Sequence, residues 1–161
     1  MTTPPGGLDP TVTFEAARPE DVTDLEAIDA SSPTPWTAAA FTEEQGRVPP
    51  SLFVLRDVAR CRAVAFIAVR LQGPEMDIVN LAVAPSHRRL GLGATLVRRL
   101  LRSPAANGVD SVFLEVRAGN AAARALYGHL GFQETQRRRG FYRDPVEDAV
   151  LMSLRLSHQE G

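Results

Sequence analysis

Between residues 76 and 116 the chain changes its periodicity twice, and that change limits what it can fold into. Residues 76–83 are an apolar run that stops ahead of Pro85 and predicts a strand. The turn Arg88-Arg89-Leu90-Gly91-Leu92-Gly93 follows. Leu92, Leu96 and Leu100 then recur every four residues, which predicts a helix over about 91–106, with Asn107-Gly108 as its C-terminal stop. Residues 111–116 return to strand. A strand, a helix and a second strand within so short a span require parallel or splayed pairing, so the chain belongs to the mixed α/β class.

The flanking segments extend this order to β α α β β β α β α β β. Residues 12–16 read as a short strand, and Pro19 opens a helix to about residue 30, with Val22, Leu25 and Ile28 at helical spacing. Residues 31–35 break the chain before a second short helix at 36–45. Two strands rich in Val, Phe and Ile, 51–56 and 61–71, are joined by a turn at 57–60. Asn120 can cap an alanine-rich helix that runs to Leu130 and ends at Gly131, and residues 132–138 and 149–154 close the pattern as strands. One domain over residues 11–156 is expected, between a disordered proline- and glycine-rich tail at 1–10 and a short tail at 157–161.

Composition removes several function classes. The 161 residues carry 44% hydrophobic side chains, enough for one core, and no apolar run nears the roughly 18 residues of a membrane span. The N-terminus lacks a signal-peptide pattern, so a cytoplasmic location is expected. Cys61 is the single cysteine, which excludes an internal disulfide or a cysteine-based zinc site. Its place in an apolar run predicts a small core residue. His87, His129 and His158 have no metal-ligand spacing, so no metal is expected. A net charge of −1 gives no case for nucleic acid. The charge is unevenly spread, however. Residues 9–29 hold seven acids against Arg18, whereas residues 78–109 hold no acid and five arginines. A cationic ligand near the first stretch and a polyanionic one near the second would suit this field, although two ordinary solvated helix faces would look the same.

The glycines of the turn let backbone approach a ligand, and the helix behind them offers unpaired N–H groups at its positive end. This makes an anion site. The third glycine of a dinucleotide fingerprint and the Gly-Lys-Ser/Thr of a P-loop are both missing. The turn instead resembles the coenzyme A turn of the GNAT acetyltransferases, Arg/Gln-x-x-Gly-x-Gly/Ala, with Arg88, Gly91 and Gly93 in its places. That resemblance implies a mostly antiparallel sheet splayed between its fourth and fifth strands, with about four helices, and acetyl-CoA as cosubstrate. It further implies that Arg88, Arg89, Leu90, Gly91, Leu92, Gly93 and Ala94 hold the pyrophosphate. The backbone of Leu81, Ala82 and Val83 would pair with the pantetheine arm, one N–H there serving the oxyanion. Ala84 and Ala94 depart from the pattern, standing where relatives carry Asp and a base.

The segment 113–132, Phe-Leu-Glu-Val-Arg-Ala-Gly-Asn through Tyr127 to Leu-Gly-Phe, is similar to the ribosomal-protein-alanine N-acetyltransferase (RimI-like) branch of that family. The likeness extends over about 12–154 and includes Pro35-Trp36 and Glu147-Asp148-Ala149. An amine attacks a thioester only when neutral, while a peptide α-amine has a pKa of roughly 8, so a carboxylate must accept a proton. Glu115, between apolar Leu114 and Val116, matches the family's acceptor; an ordinary exposed strand glutamate is the alternative. Tyr127 matches the family's proton donor to the leaving thiolate, or is a core aromatic with its hydroxyl at the rim. Asn120 matches a coenzyme A contact and can equally be a helix cap. Trp36 either lines the acceptor groove or anchors the second helix; Tyr142, with Arg137, Arg138 and Arg139, either flanks the acceptor or forms a charged hairpin. The resemblance implies a protein or peptide N-terminus as acceptor. Direct attack without an acyl-enzyme is expected because no Ser–His or Cys–His pairing is evident, and charge and hydropathy give no direct nucleic-acid or membrane partner. Acetylation of lysines or a small amine, or an acetyl-CoA-binding module without turnover, are the competing readings. Oligomeric state is not legible, a monomer being the simplest expectation.

Overall fold

Runs of β-branched and aromatic residues pair into a seven-stranded sheet in a computed structural model that describes residues 11–157. The N-terminal segment 1–10, His158 and the rest of the C-terminal tail lie outside the described residues. The strands are β1 (Val12–Ala16), β2 (Leu52–Asp57), β3 (Arg62–Gln72), β4 (Glu75–Val83), β5 (Ser111–Arg117), β6 (Gln133–Tyr142) and β7 (Glu147–Arg155). Their order across the sheet is β1-β2-β3-β4-β5-β7-β6. Four α-helices intervene: α1 (Val22–Asp29), α2 (Ala38–Gln45), α3 (Leu92–Arg102) and α4 (Ala121–His129). The chain divides into two compact units, one of the described residues up to Val69 with Asn80–Ala105, the other of Arg70–Val79 with Ala106 onward.

In the first unit β1, β2 and β3 pair antiparallel, with a bulge at Leu55/Arg56. Their inner face and the apolar stripes of α1 and α2 bury Leu25, Ile28, Phe41, Leu52, Val54 and Phe66. Phe41 stands edge-on to Phe66 at 5.1 Å and takes Trp36 against its other side at 5.3 Å. Thr37 caps α2 by accepting the Ala40 N–H. Arg56 reaches from β2 to grip both oxygens of buried Asp21 at 2.8 and 2.9 Å and Glu15 at 2.8 Å, so the first helical turn is bolted to the sheet.

In the second unit β4 and β5 run parallel from Glu75↔Ser111 to Ile78↔Leu114, and β5 pairs antiparallel with β7 over its whole length. β6 pairs only with β7 and is exposed along most of its length.

Three sequence expectations change. The helix expected over 91–106 stops at Arg102, because Pro104 forces Ser103 into an extended conformation (ψ 164°) and a single 3-10 turn follows. The helix expected from Pro19 begins as a 3-10 turn before α1. Cys61 is not a core residue. It is exposed at the left-handed turn position (φ 53°) ahead of β3, and the apolar run that suggested burial takes effect only from Ala63.

Candidate active site

In the first unit β4 runs out at Val83, and the Ala84 N–H is held by the Val64 carbonyl at 2.8 Å. Two left-handed residues, Arg89 (φ 67°) and Gly91 (φ 74°), then turn the chain so that α3 starts at Leu92. Leu92, Gly93, Leu96, Val97 and Leu100 are buried and seat the helix. Its first intrahelical bond is Thr95 N–H to Gly91 O at 3.1 Å, and no side chain caps the N-cap residue Gly91. The amides of Leu92, Gly93 and Ala94 are therefore free to bind an anion at the positive end of the helix. A Cβ built on Gly91 meets nothing within 4 Å, so the space in front of the turn is open. A pyrophosphate suits this cradle of amides.

The Arg88 guanidinium has partners within the protein. Its Nε donates to the Val83 carbonyl at 3.3 Å and its Nη2 to Ser31 Oγ at 3.1 Å, which ties the α1–α2 connector to the end of β4. Asp29 makes a second tie: its Oδ2 accepts the Trp36 N–H at 2.8 Å and the Asn80 side-chain amide at 3.3 Å. Trp36 is thus half-buried on the α2 core by its ring and fixed by its backbone. His87 approaches buried Asp57 at 3.2 Å and Ser86 at 2.8 Å, a structural arrangement. Among the described residues no group of His, Cys, Asp and Glu could hold a metal.

In the second unit β5 alternates as the sequence predicts, with Val112, Leu114 and Val116 buried. Glu115 points the other way, its side chain 37% exposed and 3.8 Å from Arg138. It lines a cavity of about 660 Å³ together with Asp77, Phe113, Gln136 and Leu151. Tyr142 belongs to the same neighbourhood. The Arg117 guanidinium lies 4.2 Å above its ring, and its phenol pKa is raised by burial and then by the charge of Glu115, against the pull of Arg117.

Tyr127 is 5% exposed, its ring edge-on to Phe132 at 5.4 Å, and burial lifts its phenol well above the ordinary 10.0. Asn120 caps α4 by accepting the Ala123 N–H at 3.0 Å.

Sequence reasoning missed Arg117 and the role of Glu147, whose carboxylate takes the Gly119 N–H at 2.6 Å and faces Arg117 at 3.4 Å. The signal was Gly119, since a Cβ there would meet Glu147 at 2.5 Å. Arg137 is paired with Asp148 at 2.9 Å, and Asp148 also receives the Gly140 N–H.

The first unit thus offers an uncapped glycine turn suited to an anion, and the second a half-exposed carboxylate in a cavity. The chain matches the acetyltransferase (GNAT) family over residues 20–132 and belongs to it; it is an N-acetyltransferase with acetyl-CoA as donor. The [ribosomal protein bS18]-alanine N-acetyltransferase of Escherichia coli (strain K12) is 40% identical over 125 residues, 76% of this chain and 82% of that protein. A putative enzyme of the same name from Bacillus subtilis (strain 168) is 31% identical over 136 residues, covering 84% of this chain and 89% of its own. The crystal structure of the ribosomal-protein-S18-alanine N-acetyltransferase from Escherichia coli has a TM-score of 0.80 at 34% identity, over 92% of this chain and 96% of that one. Ard1 from Thermoplasma volcanium reaches 0.82 at 26% identity, over 92% and 99%. No helix among the described residues is long and apolar enough to cross a membrane.

Proposed function

We propose that this acetyltransferase modifies the N-terminal α-amine of a protein in the cytoplasm, an alanine-initiated ribosomal protein first of all. The observation that carries the acceptor is the 40% identity to an enzyme of that name over three quarters of the chain. The exposed carboxylate of Glu115 in its cavity supports the chemistry.

Bound acetyl-CoA supplies an activated thioester carbonyl. The turn amides around Gly91 and Gly93, with Arg89, Leu90, Leu92 and Ala94, hold the pyrophosphate. Leu81, Ala82 and Val83 align the pantetheine arm by their backbone, and one of their N–H groups faces the oxyanion. Arg88 joins this turn by its backbone while its side chain braces Val83. Glu115 takes the ammonium proton, so the amine can attack directly. Tyr127 gives a proton to the departing sulfur and regains one when the attached nitrogen sheds its second proton as the amide forms; its burial keeps the phenol protonated throughout the neutral range. The same dry surroundings also raise the proton affinity of a thiolate, so the transfer is not uphill by the whole of the phenol's shift. Asn120 caps α4 and faces coenzyme A by family position. Tyr142 and Trp36 border the acceptor.

Mass spectrometry of a peptide panel incubated with the protein and acetyl-CoA tests the acceptor. The panel varies the first residue and includes internal-lysine peptides and polyamines. Acetylation confined to α-amines of alanine- or serine-initiated peptides is expected; modification of lysine or polyamine would overturn the acceptor assignment.

A further inference from the structure

Asp29 is a buried acid with only one of its two carboxylate oxygens in use. It is 1% exposed, and its Oδ1 is buried without a hydrogen-bond partner. It makes no ion pair among the described residues. It also closes α1 at the C-terminal end, where the helix dipole disfavours negative charge. Arg88, the basic side chain that reaches this connector, bonds Ser31 and Val83 instead. The two bonds Asp29 does make, from Trp36 N–H and Asn80, fall on a single oxygen, Oδ2. A neutral asparagine would accept both with its one amide oxygen. The negative charge is therefore not needed to hold the connector, yet a buried charge without a cation is disfavoured unless something else uses it.

Its location indicates what could use it. Asn80 immediately precedes Leu81, Ala82 and Val83, the stretch of β4 assigned above to the thioester arm, and Trp36 is the residue assigned to the acceptor border. The reaction brings one cation to this place: the acceptor amine, which arrives as an ammonium. We propose that Asp29 is a positioning residue for the acceptor, its charge drawing the ammonium to the end of β4 while its Oδ2 fixes the Trp36 and Asn80 walls. It takes no proton and touches no reacting atom. The inference rests on the proposed reaction for the cationic acceptor amine and for the places given to Trp36 and to Leu81, Ala82 and Val83.

Asp29→Asn keeps the size and both bonds and removes the charge. Steady-state kinetics are run for wild type and D29N on whichever amine the wild type acetylates, at low and at high salt. An acceptor KM about tenfold higher in D29N at low salt is expected, the scale of one lost charge–charge attraction. The kcat and the acetyl-CoA KM should stay within about twofold, the melting temperature should not fall, and the gap in acceptor KM should narrow as salt rises. An unchanged acceptor KM at low salt overturns the proposal. So does a parallel fall of kcat, acetyl-CoA affinity and melting temperature, or a D29N that does not fold, since each makes Asp29 a fold residue. Should the wild type prefer an ε-amine or a polyamine, the N-terminal assignment falls, while the D29N comparison on that amine still decides the role of Asp29. No turnover with any amine overturns both.

Discussion

Tyr127→Phe separates chemistry from packing more cleanly than any other change in this protein. The ring is buried against Phe132, and phenylalanine preserves that contact. Removing a buried hydroxyl for which no hydrogen bond is seen changes stability by no more than about 1 kcal/mol in either direction. If the phenol is the proton donor, kcat falls by about 10²-fold or more, the usual worth of a general acid. Coenzyme A affinity, measured by calorimetry, stays within about twofold.

The phenol supplies a second, independent readout. Its pKa in the folded protein lies above the ordinary 10.0, with burial as the cause, so the folded state holds this proton more tightly than the unfolded chain. The contribution is complete below pH 10 and is lost as pH rises from there towards the folded value. Stability therefore declines with pH in that window by up to about 1.4 kcal/mol per unit from this one group. The chain has two tyrosines and no lysine, so few groups compete there, and Tyr142 is the only other phenol. Denaturant titrations from pH 9 to 11.5 should show a shallower alkaline decline in Y127F. An unchanged kcat would refute the donor role. A collapse of coenzyme A affinity or of the melting temperature would refute the packing argument.

Glu115→Gln should lower kcat/KM most near neutral pH and recover as pH rises and the amine loses its own proton; a pH–rate profile parallel to wild type would remove Glu115 as the base. Gly91→Val should abolish coenzyme A binding by calorimetry. The reason is φ 74° rather than crowding, since the Cβ space is open, so Gly91→Asn, which tolerates that backbone, should retain more affinity than Gly91→Val. Asp21→Ala should cost about 1–3 kcal/mol in denaturant unfolding, because it removes two charge-assisted bonds from half-buried Arg56 and leaves it Glu15 alone. Burial alone would raise the Asp21 pKa, but Arg56 and the Arg18 N–H hold it below the ordinary 3.8. Its stabilisation is thus present above pH 4 and lost as pH falls through and below that value, and Asp21→Asn should flatten the acid limb.

The sequence by itself determined what depends on local periodicity and backbone chemistry. The order of strands and helices follows from hydrophobic spacing, and β1 and the Asn120 cap fall where the pattern puts them. The alternation of Leu114, Glu115 and Val116 sets the carboxylate opposite the buried face, because successive side chains of a strand must point to opposite sides. The glycine turn was legible for the same reason, since left-handed backbone and an uncapped helix start have few residue solutions. Tertiary structure decided what requires distant residues to meet. Cys61 reads as core from its neighbours, but the turn between β2 and β3 leaves it outside. Arg88 reads as part of the coenzyme A turn, but the bond of its guanidinium to Ser31, 57 positions away, has no sequence signal. The pairing of Arg56 with Asp21 across 35 positions, and the unshared charge of Asp29, have no sequence signal. Ion pairs and orphaned charges are properties of surfaces brought together by folding, and local pattern does not carry them.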